Sequence, residues 1–368
     1  MEIPQTVCKL KPDTEAIFIS SRIRLARNVA GEDFTTILSD EGKAEVFNRV
    51  CEALSKVRKF EGGFFFDADA LAGLNGQFLA ENNMLSRELL AASGARGVYI
   101  SKDASASVMI NEEDHLRIQM LARGLCLEAL WKKIDALDDK IERNLPYAFS
   151  ERYGYLTACP TNVGTGLRAS VMMHLTGLVM TEDMEKVIRG LSQFGFVARG
   201  ANGEGSEPVG AFYQISNQQT LGFREPEMVE KITNICAKIA TFEENARLRI
   251  LESNPELIYD KIARARAIID SCRMISSTEA CECLSAMRLA ADLGFMPAKS
   301  KLLTDALIFN LRPAHLKYIY GQGGAMTSMQ RDILRAEVLR EAFKDVRKPS
   351  FPKSKRGKTR GGVRASKK

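Results

Sequence analysis

The most informative stretch of this chain is Cys159-Pro-Thr-Asn-Val-Gly-Thr-Gly-Leu-Arg168, in which small residues lead to a single arginine. Gly164 and Gly166 favour a tight turn, and the apolar spacing from Gly166 to Leu175 predicts a helix behind that turn. Free backbone N–H groups at a helix start attract anions, and a guanidinium adds a charge-assisted grip. The stretch therefore predicts a phosphate-binding turn.

Four further arginines lie in three other segments that could join this turn. Apolar residues alternate from Ile17 to Leu25, which predicts a strand with Arg22 and Arg24 on one face. The other two belong to Asn111-Glu-Glu-Asp-His-Leu-Arg117 and to Arg199-Gly-Ala-Asn-Gly-Glu204. Guanidinium groups from distant segments are suited to surround one polyanion.

The remaining pattern predicts two domains, as the length of 368 residues also suggests. A helix is expected at 40–58, and strands are expected at 105–110, 116–120, 195–199 and 211–216. From about residue 225 to about 345 the pattern is helical, with stop signals at Asn254-Pro255, at Gly294 and at 321–324. Ser276 or Ser277, and Thr327, are predicted helix caps.

Charge is concentrated at the end of the chain. The net charge is +6, but residues 351–368 contain eight Lys or Arg and no acid, so the rest of the chain is slightly acidic. This tail has no periodic apolar residues and is expected to be disordered. It is either a solvated end or a segment that binds nucleic acid or an acidic partner.

Several classes of protein are disfavoured by what the sequence lacks. The eight cysteines have no paired zinc-finger spacing, and with three histidines a transition-metal cage is not expected. No signal peptide and no apolar run near eighteen residues are found, so we expect a cytoplasmic protein without a membrane segment. P-loop, dinucleotide-binding and ordinary protein-kinase motifs are missing too.

The dispersed arginines and carboxylates fit phosphoryl transfer. This reaction needs cations around a triphosphate and an acceptor held in line with the γ-phosphate. Carboxylates such as Glu113 and Glu204 would hold a guanidinium acceptor by two parallel hydrogen bonds. Each arginine taken alone would more often be a surface ion pair, so the interpretation depends on their joint arrangement.

The chain resembles the ATP:guanido phosphotransferases, or phosphagen kinases, in four motifs: Ser20–Arg24, Asn111–Arg117, Cys159–Arg168 and Arg199–Glu204. The resemblance covers about residues 16–246 and implies ATP with Mg²⁺. It implies catalytic roles for Glu113, Glu204 and Cys159, the last as a thiolate that positions the guanidinium; a small turn residue is the alternative for Cys159. It implies that the nucleotide contacts Ser20, Ser21, Arg22, Ile23, Arg24, Arg117, Arg168, Ala169, Ser170, Val171, Met172, Arg199, Gly200, Ala201, Asn202, Gly203 and Glu204.

Two features resemble the bacterial protein-arginine kinases within that family. Few residues precede Arg22, whereas kinases of small guanidino compounds carry a helical substrate domain there. The segments 323–325 and Arg331-Asp-Ile-Leu-Arg-Ala336 resemble the C-terminal domain of the protein kinases. This implies that phosphoarginine binds Arg331, Asp332, Arg335 and Ala336; the alternative is a solvated ion-pair face. The family has a histidine where Asn83 stands here, in Leu79–Ser86.

The expected fold is α+β: a phosphagen-kinase-like domain with a largely antiparallel sheet flanked by helices, and an all-helical C-terminal domain. We place the catalytic domain at 1–246, the helical phosphoarginine-binding domain at 247–348 and the basic tail at 349–368. The expected reaction is transfer of the γ-phosphate of ATP to arginine in proteins. A kinase of free arginine and an inactive phosphoarginine-binding adaptor are the alternatives.

The expected partners follow from the resemblance rather than from individual residues. They are protein substrates with exposed arginine, a zinc-finger activator protein, heat-shock repressors and a Clp protease that degrades marked proteins. A homo-oligomer is expected, with no membrane contact, and nucleic acid would be bound only through the basic tail.

Overall fold

A single antiparallel sheet organises the first two thirds of the chain. The structure, a computed structural model, describes residues 17–200, 208–321 and 326–352. The strands are β1 (Phe18–Arg27), β2 (Phe64–Asp67), β3 (Gly97–Ile100), β4 (Ala106–Ile110), β5 (Leu116–Arg123), β6 (Phe149–Ser150), β7 (Gly154–Tyr155), β8 (Leu167–His174), β9 (Phe196–Gly200) and β10 (Phe212–Asn217). The main sheet has the order β2-β3-β4-β5-β1-β8-β10-β9, while β6 and β7 form a small hairpin.

Helices cover the sheet and then form the rest of the described chain. They are α1 (Asp40–Ser55), α2 (Leu74–Glu81), α3 (Arg87–Ala91), α4 (Leu127–Glu142), α5 (Thr176–Met180), α6 (Met184–Gln193), α7 (Glu225–Ser253), α8 (Pro255–Ser271), α9 (Ser277–Asp292), α10 (Ser300–Asn310), α11 (Pro313–Tyr320) and α12 (Ser328–Phe343). All pairings of neighbouring strands are antiparallel. The expected α+β class with an antiparallel sheet is therefore confirmed.

The two faces of the sheet differ in what covers them. One face carries Ile23, Ile118 and Val171, which are fully buried against apolar residues of α1, α4 and α7. On the other face, α2 and α3 pack only on the β2–β4 end, around Phe66. Because side chains alternate along a strand, the polar residues of β1, β5 and β8 point to the part of this face that these helices leave uncovered.

The predicted helix behind Gly166 is wrong, because residues 167–174 form the central strand β8. Leu167, Ala169, Val171 and Met173 are fully buried on one side, which is the period of two that a strand requires. β8 pairs with β1 on one side and with β10 on the other, and these long-range pairings outweigh local helix propensity. Arg168 therefore lies on a strand, and no helix N-terminus stands behind the turn.

The other sequence predictions of secondary structure agree with the structure within a few residues. α1, β4, β5, β9 and β10 lie where they were expected. Ser276 caps α9 and accepts a hydrogen bond from Glu279 N at 3.1 Å, and Thr327 with Gln330 forms a capping box on α12. The helical stops after Ser253, Asp292 and Tyr320 coincide with the Asn-Pro and glycine signals.

The helical region has its own hydrophobic core, in which Leu284, Leu316 and Phe343 are fully buried. The change from the first core to this one falls within α7, between Ala246 and Ile250, so the helix is continuous across the predicted boundary at 246. None of the helices in the described residues has both the length and the apolar character that a bilayer crossing needs.

A carboxylate joins the helical region to the sheet. Glu81, at the end of α2, accepts hydrogen bonds from the backbone N–H of Ala314 at 2.9 Å and of His315 at 3.0 Å, at the start of α11. The His315 ring Nδ1 lies 2.8 Å from the same carboxylate. The Phe78 ring centroid is 4.4 Å from those of His315 and Tyr318. Glu81 thus supplies acceptors for N–H groups that a helix start leaves free.

Candidate active site

Four predicted arginines converge on the uncovered face of the sheet. Arg22 and Arg24 project from β1, and the register sets Arg24 beside Arg168 of β8 and Ala26 beside Arg117 of β5. Directly paired residues share a face of the sheet. Four guanidinium groups from three adjacent strands therefore lie on one surface, as the site hypothesis required.

The four arginines lie close enough for their charges to lower the pKa of Arg22 and Arg24. Burial lowers the pKa of Arg22 to about 10, with further lowering by Arg117 and Arg168. The pKa of Arg24 is lowered well below its usual value by burial and by the charges of the other three arginines. Like charges this close are unfavourable without a counterion. A polyanion such as a nucleotide phosphate would remove that repulsion.

The cluster still has hydrogen-bonding capacity to offer a ligand. The Nε of Arg24 is buried and lacks an acceptor among the described residues. A buried donor without an acceptor is unfavourable by about 1–3 kcal/mol, and a phosphate oxygen would satisfy it. Arg22 donates to the side chain of Gln214 at 3.1 Å, and Arg168 donates to Ser216 at 3.4 Å, which orients these two groups.

Arg199 lies at the edge of the same surface. It is on β9, directly opposite Gln214 of β10, and Gln214 is the residue that holds Arg22. The chain that follows β9 contains four predicted site residues that lie outside the described residues: Ala201, Asn202, Gly203 and Glu204. Of the two predicted guanidinium-binding carboxylates, only Glu113 is therefore described.

Because side chains alternate along β1 and β8, the predicted nucleotide contacts on these strands are divided between the two faces of the sheet. The side chains of Ser21, Ile23, Ala169 and Val171 point to the opposite face, where they are buried. Ser21 uses its hydroxyl to donate to Gly124 O at 2.7 Å. These four side chains lie on the face opposite the arginines, whereas the alternate positions of β1 and β8 share the arginine face: Ser20, Arg22, Arg24, Arg168, Ser170 and Met172.

A carboxylate that the sequence did not single out holds Arg117. Glu112 is buried and forms an ion pair with Arg117, and the Ser86 hydroxyl donates to the same carboxylate. Glu112 stands next to Glu113 in the sequence, but the turn directs their side chains differently, one buried and the other exposed. In the sequence, the only sign of Glu112 is its place in the acidic run Glu112-Glu113-Asp114.

The turn between β4 and β5 fixes Glu113 at its tip. Asn111 adopts a φ of 54° and donates from its side chain to Lys43 O and Ala95 O, both at 2.8 Å. Asn tolerates this left-handed conformation better than most residues. Asp114 is buried and accepts from Asn28 Nδ2 at 2.6 Å and from Ala158 N at 2.7 Å. Asp114 thus joins this turn to the segment that carries Cys159.

The structure places Cys159 near Glu113. Burial raises the pKa of the Glu113 carboxyl, while the Arg117 charge and the neighbouring Cys159 side chain lower it. Partial burial and the charges of Asp114 and Glu112 have the larger effect, so the pKa of Glu113 is raised overall. The thiol also lies 3.0 Å from the Thr161 hydroxyl.

Glycines allow the turn before β8 to pass between other backbone segments. Gly164 has a φ of 114°, and a Cβ there would lie 2.5 Å from Thr220 O. Gly166 has a φ of 61°, and its Cβ would lie 2.6 Å from Ala26 O. The Thr220 hydroxyl lies 2.9 Å from Thr161 O and 2.7 Å from Val163 O and can donate its one proton to either, so the turn is tied to the segment after β10. The predicted phosphate turn is thus a rigid support rather than a helix start.

The segment that aligns with the family's histidine lies against the arginine surface. Asn83 has a φ of 57°, and its carbonyl accepts from Gln119 Nε2 at 2.6 Å. Gln119 is on β5, opposite Arg24. The carbonyl of Met84 accepts from the Ser107 hydroxyl at 2.7 Å. The backbone around Asn83 is therefore fixed to the strands that carry the arginines.

The predicted phosphoarginine residues do not share one environment. Arg335 is buried and donates to Leu311 O at 3.0 Å, to Ile275 O at 2.8 Å and to Asp332 at 2.5 Å. Ala336 is fully buried in the helical core. Both residues therefore support α12 from within. Arg331, which donates to Met326 O at 2.8 Å, and Asp332 keep part of their surface exposed.

Comparison with family models matches both parts of the chain. Residues 45–246 match the model described as ATP:guanido phosphotransferase, C-terminal catalytic domain. Residues 255–354 match the model described as Protein-arginine kinase McsB C-terminal domain.

Curated relatives are similar over most of their length. A protein of Halothermothrix orenii is 40% identical over 324 residues, which are 88% of this chain and 92% of the relative. One of Geobacillus thermodenitrificans is 40% identical over 336 residues, 90% of this chain and 92% of the relative. Both carry the name protein-arginine kinase.

Two solved kinase structures have a similar fold. A lombricine kinase matches with a TM-score of 0.57 and 25% identity, over 64% of this chain and 72% of that one. The duplicated taurocyamine kinase from Schistosoma mansoni has the same TM-score at 24% identity, over 74% of this chain and 40% of that one. The second match concerns the fold alone.

Proposed function

Since the chain belongs to the ATP:guanido phosphotransferase family, we propose that it is a protein-arginine kinase, which transfers the γ-phosphoryl group of ATP to the guanidinium of arginine in proteins. The convergence of Arg22, Arg24, Arg117 and Arg168 on one face supports this proposal most strongly. Similarity over nearly the whole length to relatives named protein-arginine kinase favours a protein acceptor over free arginine.

The arginine cluster would bind and orient the triphosphate. Fixed guanidinium groups stabilise the charge that develops on the transferring phosphoryl without reorganising during the reaction. Arg24, whose Nε has no acceptor among the described residues, would gain a phosphate oxygen as a partner. The nucleotide phosphates would thus lie over β1, between β5 and β8.

Mg²⁺ is the cation that ATP-dependent phosphoryl transfer requires. The described residues contain no group of three His, Cys, Asp or Glu that could hold a metal ion. Mg²⁺ dehydrates reluctantly and commonly binds through substrate phosphates, water and one or two carboxylates. Such a mode fits these residues. Bound Mg²⁺ would neutralise phosphate oxygens, and the buried Glu112 is a carboxylate paired with Arg117, one of the arginines that would hold them.

Glu113 would orient the acceptor. A guanidinium has a pKa above 12, so a carboxylate cannot remove its proton before attack. We place the substrate guanidinium against Glu113 and Cys159, with one nitrogen directed at the γ-phosphorus. As the N–P bond forms, the bond to the β-phosphate oxygen breaks and ADP leaves with that electron pair. The attacking nitrogen loses its proton as its basicity falls, and the adjacent carboxylate receives it.

We also propose the domain roles that the sequence indicated: catalysis by 1–246 and phosphoarginine recognition by the helical region. For the latter, the part-exposed Arg331 and Asp332 are the residues able to meet a ligand, while Arg335 keeps α12 in place. Protein substrates would present an exposed arginine to Glu113, which is itself exposed.

The test is incubation with Mg-ATP and an unrelated arginine-rich protein, followed by mass spectrometry. We expect an acid-labile, base-stable phosphate on arginine side chains of the protein. Glu113→Gln should reduce the rate by at least about a hundredfold, because it removes the charge that holds the acceptor. Phosphate found only on added free arginine would contradict the protein acceptor. Nucleotide binding without any transfer would contradict the enzymatic function.

A further inference from the structure

The Ser86 hydroxyl makes two contacts at the edge of the arginine surface. As the N-cap of α3, it accepts a hydrogen bond from Leu89 N at 3.0 Å. It also donates its proton to the carboxylate of Glu112. A hydroxyl has one proton and two lone pairs, so it can serve both contacts at once. Ser86 is therefore more than a helix cap.

Glu112 connects that hydroxyl to the phosphate site. Its side chain is only 2% exposed and forms an ion pair with Arg117. The Glu112 charge also acts on Arg24, whose pKa it raises against the effect of the neighbouring arginines. A buried carboxylate requires several donors. If Ser86 did not supply one, Arg117 would have to supply more of its own N–H groups.

The position of Ser86 is set by the sheet rather than by α3 alone. Two carbonyls shortly before it are held by strand side chains: Asn83 O by Gln119 at 2.6 Å and Met84 O by Ser107 at 2.7 Å. Since β4 and β5 carry these partners, the hydroxyl and Arg117 have a common support. The hydrogen bond from Ser86 to Glu112 is therefore suited to hold Glu112 in a fixed position relative to Arg117.

We propose that Ser86 is a positioning residue for the nucleotide phosphates, acting through Glu112 on Arg117. By satisfying one acceptor of Glu112, the hydroxyl leaves N–H groups of Arg117 available to a phosphate oxygen. This inference rests on the proposed function, because it assumes that the arginine surface binds ATP. It gives the start of α3, which carries none of the four clustered arginines, a role in nucleotide affinity.

Three substitutions separate this role from helix capping. Ser86→Ala removes both contacts. Ser86→Asp keeps an N-cap acceptor for Leu89 N but cannot donate to Glu112 and places a second negative charge beside it. Ser86→Thr keeps the hydroxyl and should restore both. Ser39→Ala is the matched control, because Ser39 caps α1 through Gly42 N at 3.2 Å and is exposed.

The measurements are the KM for ATP, kcat at saturating ATP, and the Kd for ADP by calorimetry, with thermal unfolding to check each variant. We expect a rise of roughly five- to tenfold in KM and Kd for Ser86→Ala, and a larger rise for Ser86→Asp. The KM for the protein substrate should stay within about twofold of wild type, and Ser86→Thr should be near wild type.

Two results would overturn the proposal. One is wild-type ADP affinity in a folded Ser86→Asp protein. The other is a change in Ser86→Ala no greater than that in Ser39→Ala, which would reduce Ser86 to a cap. If the wild-type protein itself bound no ADP, the proposed function would fall instead, so the two failures are distinguishable.

Discussion

At the scale of single residues, two adjacent carboxylates have separate environments. Glu112 is buried against Arg117 and Ser86, whereas Glu113 is exposed and lies near Cys159. The separation comes from the turn between β4 and β5, which Asn111 and Asp114 anchor by side-chain hydrogen bonds. One acid thus belongs to the phosphate side of the site and the other to the acceptor side.

The raised pKa of Glu113 predicts the acid limb of the pH–rate profile. The carboxylate must be ionised to hold a guanidinium, so activity is lost as the pH falls through its pKa. Because burial and neighbouring acids raise that pKa, kcat/KM should begin to fall at a higher pH than an ordinary glutamate, near 4.5, would give.

Substitution of Cys159 tests whether the acid limb of the pH–rate profile belongs to Glu113. The Cys159 side chain lowers the pKa of Glu113, so Cys159→Ala should move the limb to still higher pH, while Cys159→Ser keeps a polar group that can donate and should move it less. The profile of kcat/KM against pH for the three proteins is the measurement. A limb that stays in place in Cys159→Ala would show that the thiol does not act on Glu113.

The sequence identified the residues that carry charge but not those that position them. Arg22, Arg24 and Arg168 stand out because their motifs are short and local. Ser86, Glu112 and Gln214 were missed because each has a partner far away in the sequence: Ser86 and Glu112 contact each other, and Gln214 accepts from Arg22. Such contacts can be recognised only once the strand order is known.

At the scale of elements, β8 shows where local pattern reading fails. The apolar spacing from Gly166 to Leu175 indicated a helix, and the glycine turn before it indicated a helix start, but residues 167–174 form a strand. Pairing with both β1 and β10 makes it a central strand. Arg168 lies beside the other arginines of the cluster, but on a strand rather than at a helix start, because strand pairing is a property of the fold and not of the local sequence.

The turn before β8 can be tested with two glycines of similar backbone conformation. Gly166 has a φ of 61° and a Cβ there would meet Ala26 O at 2.6 Å, whereas Gly31 has a φ of 79° and nothing within 4 Å. Gly31→Ala should lower the free energy of unfolding by about 1 kcal/mol, through backbone strain alone. Gly166→Ala should lower it by about 3 kcal/mol or more, because the backbone must also move.

Urea unfolding of both variants is the measurement. Equal losses in the two proteins would mean that the turn has room to shift, and that the close approach to β1 is not a constraint. The difference between the variants, rather than either loss alone, reports the packing of the turn.

At the scale of the whole molecule, a buried histidine lies where the sheet meets the helical region. His174 ends β8; its Nε2 lies 2.7 Å from the Ser285 hydroxyl of α9, and its Nδ1 lies 3.3 Å from Arg288 Nη1. Since a guanidinium can only donate, Nδ1 is the acceptor and Nε2 carries the proton. Burial, with the charges of Arg288 and Arg247, lowers the pKa of His174 well below its usual value.

His174 therefore predicts a loss of stability in acid. The folded protein keeps the ring neutral, while the unfolded chain takes up a proton below a pH of about 6.5. The free energy of unfolding should fall below that pH, by up to about 1.4 kcal/mol per pH unit from this group. In His174→Gln, stability at pH 8 should be lower, and its decline between pH 7 and pH 5 should be shallower. An unchanged slope, measured by urea unfolding, would exclude His174 as the source.

The contact of Glu81 with the start of α11 has a practical consequence for dissecting this chain. A fragment that stops at Ala246 would keep every arginine of the described cluster, yet it would strip Phe78 of its aromatic neighbours and leave the Glu81 carboxylate without its three donors. That damage would fall on the helix that leads into Asn83 and Ser86. Weak nucleotide binding by such a truncated protein would therefore reflect the lost contacts between α2 and α11. It would not measure how well the arginines of the sheet bind a nucleotide.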